Sequence, residues 1–213
     1  MPLVALLLAI CAFWLGACPF SLWIGRWLLG KDIRDFGDGN PGAKNVFRAG
    51  GRKAGYLATI LDIAKGTPFV ILAYLLFEFP APIVLAVGLS AILGHAFSPL
   101  LGLRGGKAIA VTMGVLIVLP PTLHDASYLM MLVTFLSFML LGYLFIEIDA
   151  WVVIVGAAGS LAYVTATTGT SWETLFMLCV LAILATKHLN DLKTVPRFKG
   201  KLIRLLAPVK RQI

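Results

Sequence analysis

The chain is predicted to be all-α, a polytopic membrane bundle of about seven transmembrane helices. Three observations carry that expectation. Hydrophobic residues make up 60% of the 213-residue sequence, above the roughly 45–50% of soluble domains, and mean hydropathy is +0.94. The apolar residues fall in seven runs, over 3–29, 54–77, 82–102, 108–123, 127–146, 150–168 and 173–187, near the roughly 20 residues that cross a bilayer. The runs are separated by Gly, Pro and charge clusters whose backbone cannot stay exposed to lipid. No length remains for a separate soluble domain, so one domain over 1–213 is expected, with a basic tail over 188–213.

The first run, 3–29, has no Lys or Arg before Arg26, which argues against a secretory signal with a basic lead. For the same reason Leu15-Gly16-Ala17-Cys18 is a poor lipoprotein cleavage site. The second run carries Asp62 and Lys65. An unpaired charge there costs about 2.5–3.5 kcal/mol on insertion scales, so the two are expected to pair at i,i+3 or face a polar cavity. The third ends on Gly94-His95-Ala96-Phe97, which places His95 in apolar surroundings as a buried hydrogen-bonding residue or a base. The fourth and seventh runs are short, and six helices plus one re-entrant segment fit the pattern nearly as well. Cys11, Cys18 and Cys179 lie inside runs without metal-ligand spacing, and are expected to pack.

Charge orients the bundle. Six Lys or Arg lie in 31–53, two in 103–107 and eight in 187–213, following the first, third and seventh runs. All three segments then fall on one side, which the positive-inside rule assigns to the cytoplasm, with the N-terminus outside. The formal net charge of +8 sits in short juxtamembrane segments that suit anionic lipid headgroups, and nucleic acid is not an expected partner. Arg197, Lys199, Lys201, Arg204, Lys210 and Arg211 are expected in a solvated tail or interfacial helix.

Two polar loops stand out on that side. The block from Lys31 to Arg48 holds Gly37-Asp38-Gly39-Asn40-Pro41-Gly42, then Lys44, Asn45 and Arg48. It satisfies G-x-G-x-x-G, but after a membrane span rather than in a βαβ unit, so dinucleotide binding is excluded. Its glycines, amides and cations remain a candidate anion cradle. The second loop is Leu103-Arg104-Gly105-Gly106-Lys107. If Lys107 opens the fourth helix, its ammonium and the free N–H groups there favour an anion together. No His is followed four residues later by Asp, which removes one acyltransferase motif. Asp35-x-x-Asp38-Gly39 begins like a CDP-alcohol phosphotransferase signature, but no later Asp pair follows, so no metal and no cofactor are expected.

At these residues the chain resembles the bacterial membrane family of acyl-phosphate:glycerol-3-phosphate acyltransferases. The motifs are Gly39-Asn40-Pro41-Gly42-Ala43-x-Asn45-Val46-x-Arg48, Asp62-x-x-Lys65-Gly66 and Arg104-Gly105-Gly106-Lys107, with Gly16-Ala17-Cys18-Pro19-Phe20 upstream. The resemblance implies a seven-helix enzyme of the cell inner membrane, with its site at the cytoplasmic face. It would move a fatty acyl group from acyl phosphate to the 1-hydroxyl of glycerol 3-phosphate, giving lysophosphatidic acid and phosphate. Arg48, Lys107 and Asn190 would be catalytic. Asn40, Gly42, Asn45 and Arg48 would bind one phosphate and Gly105, Gly106 and Lys107 another, Arg104 and Lys107 would stabilise charge on the departing phosphate, and Asp38, Gly39, Lys44, His95, Lys187, His188 and Lys193 would complete the substrate-binding set. Substrates and membrane lipids are the implied partners, and a monomer the expected state.

The sequence departs from the family pattern at identifiable positions. Asp38 stands where the family has Ser, Lys44 where it has Thr, Ala108 for a third glycine and Val111 for a Thr. Lys187 and Lys193 replace the His and Arg of His-x-x-Asn-x-x-Arg, while Asn190 matches. Two further readings follow: the same fold with another acceptor or donor, in which Asp38 serves as a general base or hydrogen-bonds an acceptor lacking phosphate, and a phosphate or lipid transporter using Asp62 and Lys65, although no inverted repeat of broken helices is evident.

Overall fold

The computed structural model describes residues 1–119 and 127–199. Helices account for all seven apolar runs within those residues. The first run is broken: α1 (Pro2–Ala17) and α2 (Phe20–Leu29) meet at Cys18-Pro19, because proline has no N–H to continue the ladder. Two short turns of chain and α3 (Ala43–Arg48) follow. The second run is broken as well, into α4 (Arg52–Ala64) and α5 (Pro68–Ile71), the latter continuing through a π-helical turn over Leu72–Leu76. Then come α6 (Ala81–Ala96), α7 (Ile109–Val118), α8 (Ser127–Phe145), α9 (Asp149–Thr168), α10 (Trp172–Lys187) and the short α11 (Leu189–Leu192).

Five helical stretches are long and apolar enough to cross a membrane: Pro2–Leu29, Arg52–Leu76, Ala81–Leu101, Tyr128–Phe145 and Asp149–Thr168. The 10 residues of α7 and 16 of α10 fall short of the roughly 17–25 residues of a typical span. The end of the expected fourth run, 120–123, lies outside the described residues. So do Lys201, Arg204, Lys210 and Arg211 of the tail. Of the residues expected in a solvated tail or interfacial helix, Arg197 and Lys199 are described, and both lie outside any helix. Residues 194–199 run extended, with Ile146 and Phe198 forming an antiparallel bridge and the Lys199 N–H donating to the Phe145 carbonyl.

The outer surface is apolar, with Leu6, Leu7 and Ile10 on α1 and Leu140, Leu141 and Leu144 on α8 all exposed, as a lipid-facing bundle requires. Cys11 also faces outward, correcting its expected packing role. Without a hydrophobic drive between helices in lipid, close packing relies on small residues. Gly16 and Gly94 let α1 and α6 touch backbone to backbone: a Cβ on Gly16 would lie 2.2 Å from the Ala91 carbonyl oxygen and one on Gly94 2.0 Å from that of Phe13. Gly114 does the same for α7 against α4, where a Cβ would meet the Ile63 carbonyl oxygen at 1.9 Å.

The break in the first run leaves carbonyls that lipid cannot satisfy. Ser98 Oγ donates to the Ala17 carbonyl at 2.6 Å and Lys65 Nζ to that of Cys18 at 2.8 Å. Lys65 also pairs with Asp62 at 2.9 Å, both buried, and Ser21 Oγ donates to the other Asp62 oxygen. A second core, including Leu22, Ile33, Val46 and Ala58, then fixes α2, α3 and α4 and the loop between them.

Breaking a buried pair by removing one partner typically costs about 3–5 kcal/mol. Lys65→Met and Asp62→Leu are each expected to lose that order of stability in detergent unfolding, and the double variant to lose less than the sum of the two.

Candidate active site

The loop after α2 is anchored before it reaches the site. Asp32 accepts from Arg26 at 2.9 Å and Arg34 at 2.7 Å. The Arg34 hydrogen bonds, opposed by burial, hold its carboxyl well below the usual carboxylate range. Lys31 Nζ donates to the Ala49 carbonyl at 2.8 Å, closing the end of α3. Ile33 is buried beneath α2, where Gly25 leaves room for its side chain. The turn between them places Gly37 and Gly39 at φ of +62° and +69°, a region that favours glycine. A Cβ on Gly37 would lie 1.9 Å from the Arg48 guanidinium.

Asp38, between those glycines, is the hub of the site. Its carboxylate accepts from Asn45 Nδ2 at 2.9 Å and the Asn40 N–H at 3.3 Å, pairs with Lys107 Nζ at 2.8 Å, and stands 3.8 Å from Arg48 Nη1. Asn45 is buried, and its amide is oriented by donating to the Asn40 carbonyl at 2.9 Å and accepting from Arg48 at 3.0 Å. The Gly42 N–H donates to the Asn40 carbonyl and that of Gly39 to Phe36. Burial raises the Asp38 carboxyl, but hydrogen bonds from Lys107 and Asn45 outweigh it and bring it down to about 2. Lys107 also pairs with Asp191 at 2.6 Å. These two carboxylates raise its ammonium above the usual value despite burial. Lys44 of α3 pairs with Asp149 at the start of α9, so four polar segments meet at one end of the bundle.

They enclose a cavity of about 830 Å³. Asp38, Asn40, Gly42, Lys44, Asn45, Arg48, Lys107, His95 and His188 line it together with Ile63, Met113, Met139, Leu140 and Tyr143. The same hollow thus presents charged donors and an apolar wall. His95 is buried, with its ring against Gly106, where a Cβ would lie 2.2 Å from Nε2. His188 is buried too, its Nδ1 2.7 Å from the Leu184 carbonyl. Among the described residues no group of three His, Cys, Asp or Glu side chains could hold a metal ion.

Several expected residues stand elsewhere. Arg104 is exposed and outside the lining. Gly105 and Gly106 are buried beneath His95 and Ala96, and the Gly106 N–H donates to the His95 carbonyl at 3.1 Å, so that amide is engaged within the fold. Lys107 does not open a helix: α7 begins at Ile109, after Ala108 at φ +61°. Asn190 and Lys193 are exposed and hydrogen-bond each other at 3.3 Å, while Lys187 Nζ lies 5.4 Å from the Phe97 ring centroid. The residue of that segment that reaches the hub is Asp191, which sequence reasoning passed over, along with Asp149. Their signal was being acidic beside basic loops on the same side of the bundle.

Three comparisons bear on the chain. The family model described as glycerol-3-phosphate acyltransferase matches residues 6–197. A glycerol-3-phosphate acyltransferase of Listeria monocytogenes serotype 4a (strain HCC23) is 42% identical over 135 residues, 63% of this chain and 68% of that one. One from Myxococcus xanthus (strain DK1622) is 42% identical over 120 residues, 56% and 62% of the two chains. The crystal structure of PlsY, an integral membrane glycerol 3-phosphate acyltransferase, in its glycerol 3-phosphate form superposes with a TM-score of 0.75 at 26% identity, covering 95% of this chain and 99% of that one.

Asp38 titrates lower in the folded chain, down to about 2, than the ~3.9 of an unperturbed Asp, so its contribution to stability is present above pH ~4 and lost as pH falls through the folded value. Unfolding measured from pH 7 to pH 2 is expected to show wild type more stable than Asp38→Asn above pH ~4, with the gap closing towards pH 2.

Proposed function

This chain belongs to the glycerol-3-phosphate acyltransferase family, and we propose that it works as a single seven-span domain of the cell inner membrane, with its site at the cytoplasmic face. It is an integral membrane acyltransferase of phospholipid synthesis. The acceptor is glycerol 3-phosphate, acylated on its 1-hydroxyl. The donor we propose is acyl phosphate, and the products are lysophosphatidic acid and inorganic phosphate. The observation that carries this reading is the cavity whose lining joins Arg48, Lys107 and Asn45 to an apolar wall of Ile63, Met113, Met139 and Leu140. One part suits a phosphate and the other an acyl chain. The basic loops gathered at one end support the cytoplasmic placement. PlsY, whose structures include a glycerol 3-phosphate form and a lysophosphatidic acid form, has the same architecture.

Acyl phosphate is already activated. The acceptor hydroxyl attacks the acyl carbon, the bond from that carbon to the phosphate oxygen breaks, and phosphate departs with the electron pair. Alignment of two bound reactants supplies effective molarities of up to about 10⁵–10⁸ M, so no covalent enzyme intermediate is needed. Arg48 and Asn45 help to hold the acceptor's phosphate, and Lys107, which reaches the same seat, also stabilises charge on the departing phosphate. Asp38, held down to about 2, is a weak base, and the departing phosphate is the better acceptor for the hydroxyl proton. Arg104, Gly105 and Gly106 act by shaping the turn that delivers Lys107. Asn190 and Lys193 stand beside Asp191 at the rim.

Asp62 and Lys65, the residues that a transport role would use, are engaged with each other, with Ser21 and with the Cys18 carbonyl, so the acyltransferase reading is the better supported.

Detergent-purified protein given palmitoyl phosphate is expected to release phosphate and form lysophosphatidic acid only when glycerol 3-phosphate is added. Lys107→Ala and Arg48→Ala, each verified as folded, should lower kcat/KM by about 10²–10³, the scale of losing one preorganised charge-stabilising donor. Unchanged turnover in both would overturn the site assignment.

A further inference from the structure

Four donors converge on Asp38: the Lys107 ammonium, the Asn45 amide, the Asn40 N–H and, at 3.8 Å, the Arg48 guanidinium. Two cations, a buried amide and a backbone N–H around two oxygens make up the set of partners that a phosphate group would take. Asn45 cannot turn away from this position, because its other bonds run to Asn40 and Arg48 and its side chain is buried. The remaining cation of the described lining, Lys44, faces Asp149, and Lys107 has Asp191 as a second partner. Every cation of that lining therefore already has a carboxylate beside it. A phosphate dianion cannot join Lys107 and Asn45 while a carboxylate holds the same donors, since like charges in one partly buried seat repel. Glycine on both sides of Asp38, each at positive φ, leaves the backbone flanking the carboxylate free to shift when it moves.

We propose that Asp38 is a resident anion: its carboxylate occupies the phosphate seat of the empty site and must be displaced by the acceptor's phosphate, so that Asp38 sets the affinity for phosphate monoesters. This rests on the acceptor reading given above and adds to it a specificity-determining residue particular to this chain. The seat selects ligands that bring enough negative charge to exchange with a carboxylate. Neutral polyols leave Asp38 in place.

The test titrates inorganic phosphate into detergent-purified wild type, Asp38→Ser and the isosteric Asp38→Asn at fixed ionic strength, and measures KM for glycerol 3-phosphate in parallel. Both variants are expected to bind inorganic phosphate about tenfold more tightly, the scale of one charge-assisted contact, and KM should fall by a similar factor. Should Asp38→Ser fail to fold, Asp38→Asn decides alone. Phosphate affinity that is unchanged or weaker in the folded variants overturns the inference, even where glycerol 3-phosphate is turned over normally. Tighter phosphate binding with no turnover of glycerol 3-phosphate by any form upholds the resident anion and removes the acceptor instead. A rise in KM together with weaker phosphate binding would mean that Asp38 holds the acceptor directly, and would overturn it too.

Discussion

Lipid offers no hydrogen bonds, and the structure depends on how the chain answers that constraint where its first helix breaks. Pro19 opens the backbone in the first span, and the freed carbonyls of Ala17 and Cys18 are taken by Ser98 and Lys65. Lys65 is charged and buried, so it needs Asp62, and Asp62 in turn takes the Ser21 hydroxyl. One break thus recruits side chains from α2, from α4 and its end, and from the segment after α6. The direction in which α2 leaves the break decides where the loop after it stands. From there the core of Leu22, Ile33, Val46 and Ala58 carries the loop to Lys107, which Asp38 meets.

The site repeats the same logic with charge in place of backbone. A hollow that must accept anions beside apolar helices is unstable with bare cations, because each would be desolvated without compensation. Asp38, Asp149 and Asp191 supply the missing charge from three different segments. The arrangement is neutralised internally, and each carboxylate in it is held by side-chain ion pairs. It can be exchanged for another oxyanion with the same donors, which is the property a phosphate-handling site requires.

Much of this was legible in the sequence because the bilayer makes the rules strict. Seven apolar runs all became helices where described, and the i,i+3 pairing of Asp62 with Lys65 followed from the cost of an isolated charge. The two polar loops were found by their glycines, amides and cations, and they do face one cavity. Local pattern failed where the partner lay far along the chain. Gly105 and Gly106 read as phosphate-binding glycines, but their lack of side chains serves the close approach of His95 and Ala96. Asn190 matched a family position, while its neighbour Asp191 makes the contact to Lys107, 84 residues away. The breaks at Pro19 and Pro68 were visible as prolines, yet hydropathy alone ran through them.

The tail has a bearing on how the protein is made. Residues 194–199 close against the turn between α8 and α9, where the Glu147 N–H donates to the Arg197 carbonyl and the Trp151 indole N–H to that of Thr194. Asp191 arrives on the same stretch of chain. A nascent polypeptide leaves the ribosome from its N-terminus, so α1 to α10 are synthesised before these residues exist. The Asp191 and Thr194 part of the lining is therefore added only after α10 has been synthesised. A chain stalled before residue 191 carries the loop around Asp38 with Lys107 still missing one of its two carboxylates.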